Sequence, residues 1–540
     1  MWSLVAAGGR LHARATLYET GRPSEVLADA HTEHEADIFA IVDELVRHLL
    51  ARRTTSVGGH LGRLAAMTTA SLPALKAYLT GERAFRRGHY SEALEAYERA
   101  VAEDPTFALA HYRLSATRTA CGMVDEAREA SASAGKLRGR LAQHTRLLLA
   151  AQVSWLRGDV DRAESLYLQV LKGRPEDVEA WYHLGHLRFE FNLYRGQSAV
   201  EALRPLQRAL AHDPKHVGAL TQLIRIAALE RRLDDLDALV SRFLELSPSA
   251  DLALVMRGVR AFALGDNTAQ QEVLGAMAAA HPTVLAATLS DVAVYSDDLA
   301  GAERVARRIA ELTPASALGA TPQIITAHLA VARGDREDAT HILTGLEKTD
   351  RPSALEHRAL MLTLPFLEVT ATDLMALQRS LLDWQPPPAL PEARASTSEA
   401  VHEGMHAHLR LYLLGLVTAR RGDLDAALAF ADECERTPAP DFAAGMPSSL
   451  ALGVRARVAM LRDDPGTTLT LLGRLQLGGW ITMAVASPFY ALATERFLRV
   501  EALIATGRRE DAKGWSEGFG QRSPYELVFR DPARQLLARS

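Results

Sequence analysis

The sequence predicts a mostly all-α chain: a right-handed superhelical solenoid of helical hairpins, with a small N-terminal β-hairpin plus helix in front of it. The first observation behind this is a period. Gly88 to Gly122, Ala93 to Ala127 and Ala100 to Ala134 are each 34 residues apart. The spacing drifts to 36 and 39 through Ala163 and Ala202, and Pro214, Pro248 and Pro282 return to 34. The second is composition: 48% of residues are hydrophobic but only 6% aromatic, which suits closely packed helices. The third is physical. One short hairpin cannot bury its own apolar face, so a repeated hairpin implies a stack in which each unit covers the next.

Residues 74–107 hold the sharpest copy, ALKAYLTGERAFRRGHYSEALEAYERAVAEDPTF. They predict one helix from Ala74 to Arg86 and another from Ser91 to Glu103, with Gly88 in the turn and Asp104-Pro105 closing the second. Ala93, Tyr97, Ala100 and Val101 share a face, and Gly81, Ala93 and Ala100 allow a close approach that Tyr97 fills. This copy resembles a tetratricopeptide repeat (TPR). A second full match carries Trp181, Leu184, Gly185, Ala202, Ala209 and Pro214. From Leu254 the aromatics fade while Gly-Asp turns persist, and beyond Pro352 only periodicity supports helices at 355–364 and 372–384.

The organisation expected is a segment 1–53, a Thr/Ser/Gly-rich linker 54–70, a repeat array 71–384, a proline-rich break 385–398 and C-terminal hairpins with a cap over 399–540. In the first segment, residues 11–18 alternate as a strand, Val26, Ala28 and Ala30 alternate again, and Ile38, Ile41, Val42, Leu45 and Leu49 make a helical face. A hairpin and one helix are too little for a domain, so the chain reads as starting partway through one. Strand, TG turn, strand and DIFAIVDELVRHLL together resemble the closing section of the TolB-like domain that precedes TPR arrays in some bacterial serine/threonine kinases. TTASLPALKAYLTGE, TFALAHYRLS, SPFYALATERFLRVEALIATGRREDAKGW and SPYELVF resemble the TPR region of such kinases and related signalling proteins. The resemblance implies an interaction or sensory module. No glycine-rich phosphate loop, HRD or DFG is present, so no kinase chemistry is expected.

Further expectations follow from charge and motif. A net charge of −5 gives no reason to expect a nucleic-acid partner. Two distant cysteines, Cys121 and Cys434, make no disulfide framework and read as two buried thiols. No signal peptide is evident, which makes the cytoplasm the default and the periplasm the alternative for the outer half of a membrane kinase. The uncharged run 475–494 is interrupted by Gln476, Gly478-Gly479 and Pro488 and reads as a buried loop leading into a helix, so no membrane span is expected. The tail after Gly520 is expected to cap the last repeat.

His402-Glu403-Gly404-Met405-His406 has the HExxH pattern of zinc hydrolases, with His408 close by. Gly404 weakens the helix it needs, no third ligand follows at a known spacing, and no cofactor is expected. The functional surface expected is instead the concave face of the first helices: Tyr78, Glu82, Phe85, Tyr112, Trp155, Tyr182, His186 and Phe189, continuing to Leu148, Gln152 and Arg225. That face is aromatic, with no Lys/Arg cluster, and suits an apolar or aromatic peptide or helix rather than a carboxylate clamp. The function expected is a non-enzymatic scaffold for a protein or peptide partner. The alternatives are a solenoid that assembles with its own kind as a homo-oligomer, and an HExxH zinc hydrolase.

Overall fold

The computed structural model describes residues 69–250, 252–312, 319–386, 402–485 and 487–539, together with the backbone of three N-terminal strands. These strands, β1 (Trp2–Ala7), β2 (Arg10–Glu19) and β3 (Arg22–His34), form an antiparallel sheet in the order β1-β2-β3. Leu17 pairs with Ala28, and the register shifts at Tyr18, which pairs with Val26. The helix expected over 36–49, most of the linker 54–70 and most of the proline-rich break 385–398 lie outside the described residues.

From Leu72 onward the described chain is helical. The helices pair in sequence: α1 (Leu72–Arg86) with α2 (Tyr90–Glu103), α3 (Ala108–Ala120) with α4 (Val124–Lys136), α5 (Gln143–Leu156) with α6 (Val160–Gly173), and α7 (Val178–Phe191) with α8 (Leu203–His212). Next come α9 (Val217–Leu229) with α10 (Leu233–Leu246), α11 (Ala253–Ala263) with α12 (Asn267–Ala276), α13 (Pro282–Tyr295) with α14 (Leu299–Leu312), and α15 (Thr321–Ala332) with α16 (Arg336–Leu346). The series ends with α17 (Arg351–Thr363) and α18 (Ala371–Asp383), α19 (His406–Arg420) and α20 (Leu424–Arg436), α21 (Met446–Leu461) and α22 (Pro465–Gly473), α23 (Ala493–Ala505) and α24 (Arg509–Glu517), then a single helix α25 (Leu527–Arg539). The solenoid of hairpins is therefore what the sequence predicts.

Two local devices repeat in the turns. In Gly158-Asp159, Gly265-Asp266, Gly334-Asp335 and Gly422-Asp423 the glycine takes a positive φ, where a side chain would be strained. The aspartate then caps the second helix, accepting from the backbone N–H three residues on, as Asp423 does from Ala426. Where the glycine is missing, Arg231, Asp297 and Asp463 take the left-handed conformation instead. The first hairpin packs as its composition requires. A methyl group on Gly81 would lie 2.8 Å from the Tyr97 ring, and Ala93, Tyr97 and Ala100 are fully buried. Cys434 is buried, but Cys121 is exposed in the turn after α3, so the expectation of two buried thiols holds for one only.

The stack then closes on itself, which the repeat period does not reveal. The turn after α1 reaches the far side of the coil: His89 Nε2 lies 3.4 Å from Ser249 Oγ, and Gly88 packs on Val217 and Ala250. The loop at Gly478–Gly479 touches the α5–α6 turn, where a methyl on Gly158 would stand 2.5 Å from the Gly478 carbonyl oxygen. The C-terminal segment enters the coil. A methyl on Gly514 would meet the Gly196 carbonyl at 2.0 Å, and Trp515 covers Gly196. Arg522 pairs with Glu190 and donates to its carbonyl at 3.2 Å. Arg530 reaches Asp297 at 3.1 Å. The tail does pack on α23 and α24, but α25 also lies against α15, so it is more than a cap on the last repeat. The run 475–494 is a buried loop as expected, with Trp480, Ile481, Phe489 and Tyr490 in the core. No described helix is long and apolar enough to cross a membrane.

Candidate functional site

Packing within and between repeats decides the fate of the aromatic face. Tyr78 is fully buried between Tyr97 and Phe107, with ring centroids 5.7 and 5.2 Å away. Tyr112 is 1% exposed and donates to Glu179 Oε1 at 2.6 Å. Phe189 is 1% exposed, near Tyr295. Glu82 is buried in an ion network: it accepts from Arg113 Nε at 2.5 Å and from the Tyr97 hydroxyl at 2.6 Å, while Arg113 also reaches Glu179 at 3.1 Å. These four side chains hold repeats together and present almost no surface. Phe85 lies under the Arg113 guanidinium, 4.7 Å from its ring centroid. Trp155, His186 and Tyr182 form a half-buried ring stack that continues to His216, 4.5 Å from Tyr182. Leu148 and Gln152 pack inward, with the Gln152 amide donating to Ser115 Oγ at 2.9 Å. Arg225 is bound to Asp291 at 2.8 Å.

The open face of α5 is a different one. Arg146, Ala150, Val153 and Arg157 fall one helical turn apart, and beside them a groove of about 800 Å³ opens between Arg138, at the end of the α4 hairpin, and Arg162 at the start of α6. Leu149, Ala150 and Val153 floor it. The four arginines are exposed and have no ion-pair partner among the described residues. Asp159, the one acidic residue of the rim, is engaged as the cap of α6. This cluster lies apart from the aromatic face on which no arginine cluster is expected: the four come from three elements and converge only through the hairpin turn.

A second polar centre lies between α17 and the start of α19. Glu356, wholly buried, faces His402 Nε2 at 3.0 Å through Oε2 and His406 Nδ1 at 2.8 Å through Oε1. The Tyr490 hydroxyl stands 3.5 Å from His402 Nδ1, and the Trp384 ring packs edge-on to His406. Beside it His328 Nε2 lies 3.0 Å from His357 Nδ1, with Tyr525 of the C-terminal segment against both rings. The helix expected from His402 begins at His406, because Gly404 and Met405 form a turn. Glu403, the carboxylate of the HExxH pattern, is exposed and outside the cluster. His408 turns away to the Thr437 carbonyl at 3.1 Å.

Comparison with known proteins agrees with the hairpin geometry. Two tetratricopeptide repeat models match, over residues 84–137 and 148–194. These segments are tetratricopeptide repeats. No curated protein matches the sequence. Among solved structures, a tetratricopeptide repeat protein from Parabacteroides merdae is 16% identical, with TM-score 0.27, over 53% of this chain and 98% of that one. A monomeric IFIT1 mutant with Gppp-AAAA is 14% identical, with TM-score 0.33, over 67% and 90%. Yeast Tom70 is 13% identical, with TM-score 0.29, over 81% and 96%.

The arginine groove was half legible, since KLRGRLAQHTR between α4 and α5 is a basic run. The buried histidines give a pH prediction. Burial pushes the His328 imidazole down to about 4 from its ordinary 6.5. Below pH 6.5 the unfolded chain binds a proton that the folded chain refuses, so stability falls as pH drops from about 6.5 through about 4. The difference of about 2.5 units is worth up to about 3 kcal/mol. Urea titrations at neutral and acidic pH should show this loss, and His328→Gln should remove its share of the slope.

Proposed function

We propose that this chain is a protein-interaction scaffold that docks an acidic segment of a partner protein in the arginine groove beside α5. The tetratricopeptide repeats at 84–137 and 148–194 and the hairpin stack support the scaffold, since solenoids of this kind present extended surfaces for partners. The single observation behind the acidic partner is that Arg138, Arg146, Arg157 and Arg162 surround an apolar floor without an ion-pair partner among the described residues, on a chain whose net charge is −5. Exposed guanidiniums in a fork geometry recognise carboxylates bidentately, and an apolar floor rewards a side chain set between the acidic residues. The half-buried Trp155, Tyr182 and His186 stack offers an aromatic surface on the neighbouring helices, which keeps part of the concave-face reading in play. The resemblance to the TPR regions of bacterial kinases supports a role in signalling for the partner.

A fluorescent Glu-rich peptide with interspersed leucines tests this. Binding should weaken as salt rises, because the contacts are exposed charges. Arg146→Glu combined with Arg157→Glu should weaken it by at least about 100-fold, two reversed contacts costing about 1.5 kcal/mol each. A single-stranded oligonucleotide should not displace the peptide. Unchanged affinity in the double variant, or displacement by the oligonucleotide, would contradict the reading.

A further inference from the structure

Glu356 is a carboxylate with no access to water, held between two imidazoles from another hairpin. It is fully buried, and its ion-pair partners among the described residues are the imidazoles of His402 and His406. The two imidazoles occupy both carboxylate oxygens and close a compact set of three ligating side chains. A bound cation would take one donor atom from each of the three.

The donor atoms fit such an ion. Glu356 Oε2 and His402 Nε2 are 3.0 Å apart, Glu356 Oε1 and His406 Nδ1 are 2.8 Å apart, and all lie within 4.8 Å of one another. Ligands about 2.1 Å from one ion stand no more than about 4.2 Å apart, so small side-chain rotations bring this set into register. Two imidazoles and a carboxylate are the donor class of zinc and its neighbours, not of calcium or magnesium. The surroundings are those of an oriented ligand set. The Tyr490 hydroxyl faces the second nitrogen of His402, and Trp384 packs against His406. The His402 side chain keeps 19% of its surface exposed, so one side of the site is open to water for entry and for a fourth ligand.

We propose that Glu356, His402 and His406 bind a divalent cation of the zinc class, which pins the hairpins after residue 401 to α17. The role is structural. Glu403, the carboxylate of the HExxH pattern, is exposed and outside the set, so it does not stand by as a general base. The ligands come from either side of residues 387–401, and the ion adds a link to the hydrogen bonds that Arg410 and Arg420 already make to the preceding hairpin.

The experiment uses the full chain without a histidine tag, stripped of metal and titrated with zinc chloride. About one zinc per chain is expected to bind and to raise the midpoint of thermal unfolding. Cobalt(II) in its place should give the visible absorption of imidazole-ligated cobalt. His402→Ala, on the open side of the site, should fold by circular dichroism and lose at least about 10-fold in zinc affinity, and Glu356→Gln should do the same. His341→Ala, an exposed histidine on α16, should bind as the wild type does. Wild-type chain that binds no stoichiometric zinc, or His402→Ala that binds it unchanged, would overturn the proposal. The first result would leave the trio as a hydrogen-bonded group, and the second would assign the metal to surface histidines.

Discussion

Arg496→Met should cost about 3–5 kcal/mol and release the C-terminal segment from the coil. Arg496 is 3% exposed on α23 and donates to Glu526 Oε1 at 2.5 Å. Its guanidinium lies 5.0 Å from the Tyr194 ring centroid and 4.7 Å from that of Phe519, so it also fills space between the array and the fold-back segment. Methionine replaces most of that volume and none of the charge. Glu526, which is wholly buried, then faces Arg522 alone. Burial already raises its carboxyl above the ordinary range against the pull of Arg496 and Arg522, and the variant should drive it to the neutral form. Urea unfolding should read the loss, and trypsin should cut more readily after Arg508 and Arg509. Adding Glu526→Leu should recover a large part of the stability, because a buried pair replaced as a whole costs far less than one partner removed.

Arg113→Met should have an effect of similar size in the opening repeats. Arg113 joins Glu82 and Glu179, which also accept the Tyr97 and Tyr112 hydroxyls at 2.6 Å each. Its loss strands two carboxylates between three repeats, for about 3–5 kcal/mol at neutral pH. The sign of the pH dependence is fixed. Burial alone would raise the Glu179 carboxyl, but Arg113, then His183 and Tyr112, hold it down at about 2. In the wild type this contribution is present above the ordinary carboxylate pKa and is lost as pH falls from about 4.5 through about 2. In the variant the stabilising charge is gone, so the gap between the two proteins should be widest near pH 7 and narrow as acid protonates the stranded carboxylates. A constant gap at all pH values would show that Arg113 contributes packing alone.

What the sequence made legible was local. A 34-residue period, Gly-Asp turns and the Gly81–Tyr97 contact depend on residues within one hairpin or its neighbour, and each leaves a mark at fixed spacing. The turns at Arg231, Asp297 and Asp463 left none, since no glycine marks them. The match faded toward the C-terminus because the aromatics were lost, while the Gly-Asp turns and the hairpins continued. The aromatic face was read from helical spacing, which tells which residues share a side but not what covers it. Tyr78, Tyr112 and Phe189 are packing between helices, and an exposed groove lies instead among four arginines. The HExxH pattern was visible, but its third partner, Glu356, is 46 residues upstream of His402 on another hairpin. No spacing rule within one helix could have named it.

The central claim is that the C-terminal segment lies inside the coil, touching α7 across 332 residues of sequence. A charge swap between Glu190 and Arg522 tests it most directly. Both side chains are nearly buried, at 14% and 13% exposure. Glu190→Arg and Arg522→Glu should each destabilise the protein, and the double variant should recover, with a coupling energy of about 1–3 kcal/mol in the thermodynamic cycle. Strict additivity of the two single effects would mean that the residues do not meet and that the coil is open.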